Sequence, residues 1–222
     1  MLEFVLASRN KNKIIEYTEL LSFLKGKVKI LSLDDIGYEG DIAEDGASYE
    51  ENSVIKSSVP ASLGYIGLAD DSGLSVDALD GAPGIYSARY AGAHVTYKDN
   101  NEKLLKTLEG VENRAAKFVC AISLTFPLGS LDVPEKLIDR GLSVYGTKRA
   151  GRPVGVIAVR GECPGIITHE LRGAEGFGYD PLFLYEPAGV TFAEMSHEEK
   201  NAVSHRGLAV AKFTEALKTL KL

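Results

Sequence analysis

The run AAKFVCAISLTF, residues 115–126, is the strongest constraint that this sequence places on its fold. It is β-branched, aromatic and small-apolar almost throughout, without the alternation of a half-exposed strand. Such a run reads as a central strand covered on both faces. The segments around it supply partners. LEFVLA (2–7), VKILSL (28–33) and YIGLA (65–69) read as strands. Between the first two, Ile14, Tyr17, Leu20, Leu21 and Leu24 recur at helical spacing. A helix is expected from Ser48, with Asn52 and Lys56 four residues apart on one face, ended or kinked at Pro60. Thr96 caps another. Strands then cluster: GLSVYG (141–146), VGVIAVRGE (154–162), GIITHEL (165–171) and PLFLY (181–185), expected as antiparallel neighbours. Ser196 and Glu199 form a capping box on a short helix, and a longer helix starts near Ser204. Alternation followed by clustering predicts a mixed α/β sheet flanked by helices, not a strictly doubly wound one.

Composition narrows the function classes. A chain of 222 residues is long enough for one large domain or two small lobes. Its net charge of −6 argues against a nucleic-acid partner, since polyanion binders carry a basic surplus. Only Cys120 and Cys163 are present, too few to staple a fold this size, which favours a reducing compartment. The opening MLEFVLASRNKNK has too short an apolar run for a signal peptide, and no stretch approaches membrane-spanning length. The expected location is the cytoplasm.

Several polar motifs interrupt this scaffold. In ADDSGL (69–74), Asp70 and Asp71 follow the apolar run YIGLA, where neither charge is cheap to desolvate. Adjacent side chains in an extended segment point to opposite faces, so the two carboxylates serve different neighbours. An Asx turn closed by Ser72 and Gly73 and a Mg²⁺ site suit the pair equally well. Lys11 and Lys13 lie in a loop ahead of a helix, which alone describes many surface lysines as well as a phosphate cradle. The acidic loop 34–47, with Glu44 and Asp45, reads alone as solvated. EGFGYDP (175–181) sets Phe177, Tyr179 and Asp180 in a glycine-loosened loop, fit for base stacking or for an anchored turn. SHEEKNAVSHR supplies Lys200, His205 and Arg206.

Taken together and in order, these stretches resemble the inosine triphosphate pyrophosphatase family, the Ham1-like enzymes acting on non-canonical purine nucleotides. The matching segments are SRNKNK, EDGASYEEN with Lys56, ADDSGLSVDALDGAPGIYSARYAG, GFGYDP and EEKNAVSHR, spanning residues 8 to 206. The resemblance implies an elongated mixed β-sheet flanked by helices, a single domain over 1–222 in two lobes with a central cleft, commonly a homodimer. It implies hydrolysis of ITP, dITP or XTP to the monophosphate and pyrophosphate with Mg²⁺. Carried over by position, Ser8, Arg9, Asn10, Lys11, Asn12 and Lys13 cradle phosphates with Lys56. Glu44 and Asp71 bind the metal, Asp71 accepts the proton of the attacking water, and Ser72 touches substrate. Phe177, Gly178, Tyr179, Asp180, Lys200, His205 and Arg206 surround the base. The sequence departs from the family's pattern at Arg9, where many relatives carry glycine, at the SYEEN segment, and at Leu171 and Pro60. A Maf-like pyrophosphatase for modified nucleotides competes, since LASRN resembles that family's opening. A non-catalytic nucleotide-binding module is the alternative from another class, against which stand Glu44, Asp71 and the lysines.

Overall fold

The computed structural model describes residues 1–9, 11–24, 26–131, 143–149 and 152–220. The strands are β1 (Leu2–Leu6), β2 (Val28–Ser32), β3 (Ile66–Val76), β4 (Ala115–Pro127), β5 (Ser143–Arg149), β6 (Arg152–Ile167), β7 (Phe183–Tyr185) and β8 (Val190–Thr191). The helices are α1 (Lys11–Leu20), α2 (Tyr49–Ser62), α3 (Tyr97–Thr107), α4 (His197–Val203) and α5 (His205–Thr219). The sheet order is β2-β1-β3-β4-β6-β7-β8, with β5 also paired to β6. β1 runs parallel to β2 and β3, with Leu2 opposite Val28 and Phe4 opposite Ile66. β5 and β7 are antiparallel to β6, and β8 to β7. Parallel neighbours need crossovers, which α1 and α2 provide. The sheet is therefore mixed, as its sequence predicts.

The chain packs as two compact units. One comprises Met1–Asp71, Ala121–Arg160 and Ala209–Leu222. Here Val5, Ala7, Leu31, Leu33 and Ala69 are buried together, with Tyr38 and Tyr65 against them. Val54 of α2 packs on Val156 and Ala158 of β6. The close seating of α2 depends on Gly67, where an added Cβ would lie 1.9 Å from the Ser57 carbonyl oxygen. Ser57 also explains the two hydroxyls in the apolar run of β4. Its Oγ lies 2.8 Å from that of Ser123 and 2.6 Å from Oγ1 of Thr125, so three buried hydroxyls satisfy one another. The second unit comprises Ser72–Cys120 and Gly161–Leu208. Its core centres on Phe118, Phe183 and Phe192, with ring centroids 4.6 to 5.8 Å apart, surrounded by Leu74, Val76, Leu104 and Leu108.

Four elements differ from the sequence reading. The strand expected to end at Ala69 continues through both aspartates to Val76, because each carboxylate finds a lysine. The two strands expected at 154–162 and 165–171 are one, β6, which stops at Ile167. Gly165 serves close packing there, since a Cβ would lie 2.5 Å from the Leu184 carbonyl oxygen. The first helix begins at Lys11, earlier than its apolar pattern, so Lys13 lies in its first turn and not in a loop. Pro60 is accommodated within the last turn of α2, which closes at Ser62.

Candidate functional site

In the first unit the polar side chains gather around the end of α2 that faces the acidic loop. Ser48 caps the helix by accepting the Glu51 N–H at 3.1 Å, and Glu51 in return accepts the Ala47 N–H at 2.7 Å. Asn52 accepts the Gly46 N–H at 2.9 Å, which ties the acidic loop to the helix. One turn on, the Lys56 ammonium donates to Asp71 Oδ1 at 3.0 Å and to Glu44 Oε2 at 3.1 Å. Two carboxylates thus converge on one buried cation. Burial pushes the Asp71 carboxyl above its ordinary range, against the pull of Lys56 and with the repulsion of Glu44. Burial works against the Lys56 ammonium too, yet Asp71, then Glu44 and Asp70, hold it above the usual lysine range.

Asp70 faces the other way, as alternation requires. Its carboxylate is almost fully buried and receives the Lys13 ammonium at 2.7 and 2.9 Å. The adjacent aspartates are thus each neutralised by a different lysine, from α1 and from α2. Arg9 is engaged elsewhere. Its guanidinium donates to the carbonyls of Tyr38 and Gly40 at 2.9 Å each and to Asp34 at 3.3 Å, tethering the loop after β2. Ser8 directly follows β1 and Ala7, its N–H donating to the Leu6 carbonyl. Asn10 lies outside the described residues, as do the side chains of Lys11 and Asn12.

In the second unit an aromatic surface replaces the charge cluster. Phe177 is 51% exposed, with Lys200 Nζ 4.9 Å and the Arg206 guanidinium carbon 5.7 Å from its ring centroid. Asp180, nearly fully buried, accepts the Phe177 N–H at 2.8 Å and the Lys200 ammonium, so one carboxylate fixes both the turn and the cation. Gly178 carries a φ of +64°, the left-handed turn that presents the loop. Tyr179 does not share the surface. It is buried and donates from its hydroxyl to the Ser87 carbonyl at 2.9 Å; burial raises its pKa well beyond the usual phenol range. His205 is buried against Phe118, stacked at 4.7 Å with rings 13° apart. Ser204 caps α5 by accepting the Gly207 N–H. Ser72 follows Asp71 along β3, and its Oγ is buried without a hydrogen-bond partner among the described residues.

Asn52, Asp70 and Asn101, which donates from Nδ2 to the Gly178 carbonyl at 2.9 Å, are site neighbours that the sequence reading did not assign a role. The signal for Asn101 is thin: two successive asparagines inside a helix, where that residue is a poor former. A cavity of about 930 Å³ opens elsewhere in the second unit, lined by Arg114, Lys117, His169 and Glu186 among others. It contains none of these residues, and its Arg114 guanidinium is spent on the carbonyls of Leu108, Ile167 and Thr168.

A model of the Ham1 family matches residues 4–216. A dITP/XTP pyrophosphatase of Syntrophobacter fumaroxidans is 44% identical over 97% of this chain and 84% of its own. One from Clostridium perfringens is 42% identical over 98% of both. Among solved structures, a HAM1 protein from Coxiella burnetii superposes with a TM-score of 0.81 at 36% identity, covering 98% of this chain and 99% of its own.

Proposed function

This chain belongs to the Ham1 family, and we propose that it is a nucleoside triphosphate pyrophosphatase that clears non-canonical purine nucleotides such as XTP, dITP and ITP. The observation that carries the reading is the Lys56 ammonium bonded to both Glu44 and Asp71, with Asp71 held above the ordinary carboxylate range. A carboxylate raised in this way is a stronger proton acceptor than a free one.

Glu44 and Asp71 converge on the Lys56 ammonium, and two such carboxylates are the hard oxygen ligands that Mg²⁺ takes. That ion completes its shell with waters and substrate phosphates. We assign Glu44 and Asp71 to it. When bound, it supplies charge neutralisation at the phosphate oxygens and a lowered water pKa. The chain's own residues do the rest. Asp71 accepts the proton of the attacking water, the new P–O bond forms as the α–β anhydride bond breaks, and pyrophosphate leaves with the displaced electron pair. Lys13 and Lys56 stabilise charge moving onto pyrophosphate, with Ser8 to Asn12 beside Lys13 along the chain. Ser72, with its unused buried hydroxyl, offers a donor to the substrate.

At the base, Phe177 stacks, and Lys200, His205 and Arg206 supply donors for a 6-oxo group. Asp180 and Tyr179 fix the turn between them. Adenine places an amine where these donors point, leaving them unpaired, a mismatch that can cost factors of about 10⁴. The same resemblance leads us to assign a homodimer, and the presence of only two cysteines leads us to place it in the cytoplasm; light scattering on the purified chain checks the assembly. The deciding experiment measures pyrophosphate release with Mg²⁺ from XTP, dITP, ITP, GTP, ATP and 7-methyl-GTP side by side. Release from the first three, with little from GTP and ATP, is expected. Preference for 7-methyl-GTP would transfer the chain to the Maf-like reading, and binding without release would make it a nucleotide-holding module.

A further inference from the structure

We propose that the opening of α3 belongs to the base-recognition apparatus, with Asn101 and Tyr97 as positioning residues that set where Phe177 and the Gly178 turn lie. The inference rests on the function proposed above and deepens it. Two asparagines stand side by side in α3 and are used differently. Asn100 is bonded at both ends of its amide: Oδ1 accepts the Ala91 N–H at 2.7 Å and Nδ2 donates to the Ala88 carbonyl at 3.2 Å. Asn101 is only half spent. Its Nδ2 donates to the Gly178 carbonyl at 2.9 Å, whereas Oδ1 is buried with no hydrogen-bond partner among the described residues. The carbonyl contact fixes the orientation of that amide, so the orphan is the acceptor.

A buried, half-satisfied amide is a poor choice for stability alone. Leucine at the same place, preceding Leu104 and Leu105, would fold without it. What the amide does achieve is control of a left-handed peptide. Gly178 has a φ of +64° and lies inside the turn that Asp180 and Tyr179 anchor at its C-terminal side, and Asn101 adds a bond to the carbonyl of that glycine itself. The residue before it carries the exposed ring. Tyr97 lies one helical turn before Asn101, on the same face. Its ring centroid is 6.2 Å from that of Phe177, inclined at 39°, and it is 58% exposed. Phe177 is therefore held from below through Gly178 and from the side by Tyr97, while the cations lie over its face. A ring held on two sides selects among bases by position, since a stack displaced sideways also displaces the 6-oxo group from its donors.

The test uses the full chain with Asn101→Leu, Asn101→Asp and Tyr97→Ala, comparing pyrophosphate release from XTP and ITP with thermal melting. Asn101→Leu is expected to raise KM about tenfold while kcat stays within about twofold, at an unchanged or higher Tm. Asn101→Asp, which cannot donate to the Gly178 carbonyl, should raise KM likewise. Tyr97→Ala, at an exposed position where folding is not at stake, should raise KM about threefold. Unchanged KM in Tyr97→Ala and Asn101→Leu overturns the proposal. So does a fall in Tm and kcat together at constant KM, the mark of a structural role. If the wild-type protein releases no pyrophosphate from any purine triphosphate, the functional reading falls and this inference with it, an outcome distinct from active wild type with unshifted variants.

Discussion

In the first unit the cations of the site are already paired with its anions, whereas in the second they lie over an exposed ring. Lys13 is spent on Asp70, and Lys56 on Asp71 and Glu44; Asp70, Asp71 and Lys56 are largely shielded from water, whereas Lys13 and Glu44 are partly exposed. Lys200 shares Asp180 but, with Arg206, also covers the face of Phe177. A polyphosphate with its metal would exchange partners in the first cluster, not bury fresh charge, because each group already has a counter-ion to give up. In the second cluster Lys200 has Asp180 as its counter-ion too, and what sets that cluster apart is the exposed ring of Phe177 under the cations. Its shape is set by a buried carboxylate, a buried phenol and an asparagine, each bonded to backbone. The first region should therefore respond to changes of charge and the second to changes of shape.

Removing the charge of Asp71 is the most severe way to break that contrast. Asp71→Asn keeps the volume and the neighbourhood of Asn52 but cannot take a proton from water. Pyrophosphate release should fall by about 10³, with the circular dichroism spectrum unchanged. A variant retaining a tenth of wild-type turnover would remove the carboxylate cluster from the chemistry.

Lys56→Met comes next and probes the pairing itself. It leaves two carboxylates facing each other without their shared cation. Breaking a buried pair on one side costs about 3 kcal/mol, which corresponds to a Tm lowered by roughly 10 °C in a chain of this length. Mg²⁺ should restore part of the loss, by replacing the missing positive charge between Glu44 and Asp71, and should raise the Tm of the variant more than that of the wild type. Calorimetry in EDTA and in Mg²⁺ decides it. Equal melting in the two buffers would mean that these carboxylates hold no cation.

The two regions also differ in how far their sequence betrays them. The β1, β2 and β4 strands and the caps at Ser48, Thr96 and Ser196 are local features, written in runs and spacings a few residues long. The course of β3 is not. Asp70-Asp71-Ser72-Gly73 has the composition of a turn, and only lysines 57 and 15 residues away in the chain make a strand tolerable there. Cys163 and Pro164 likewise fall between two expected strands, 154–162 and 165–171, yet β6 passes through them. At the site, Phe177 and Tyr179 look equivalent in GFGYDP. Which ring is buried depends on the Ser87 carbonyl, 92 residues away, and no local pattern carries that information. Tyr97 and Asn101 left no motif, because their partner is a backbone carbonyl and a ring in a distant loop.

Exchanging the two rings of that loop sharpens the comparison at smaller amplitude. Phe177→Ala removes an exposed stacking face, so KM should rise about tenfold with Tm unchanged. Tyr179→Phe removes a buried donor and leaves the Ser87 carbonyl without it. Stability should fall by about 1 kcal/mol while KM for XTP changes little. Kinetics and melting on the same two proteins separate the ring that meets the base from the one that holds the loop. The reverse assignment would place the base against Tyr179.

The smallest effect lies in the pH dependence of stability, where one carboxyl from each region has the opposite sign. Hydrogen bonds from the backbone and then the hydroxyl of Ser196 hold the Glu199 carboxyl below its ordinary value of 4.5. Its ionised form is the one favoured by folding, so its contribution is full above pH 4.5 and is lost as pH falls through the lowered value. Asp71 is raised above its ordinary 3.8, chiefly by burial, so in the metal-free protein its contribution is full below pH 3.8 and is lost as pH rises through the raised value. Melting curves in EDTA across the acid range read both. Glu199→Gln should melt below wild type at pH 6 and converge with it on acidification. Asp71→Asn should instead gain on wild type as pH rises from 3.8. Parallel curves for the two variants would show that burial at Asp71 and capping at Glu199 do not set these carboxyls apart, and the contrast between a charge-governed and a shape-governed region would lose its electrostatic half.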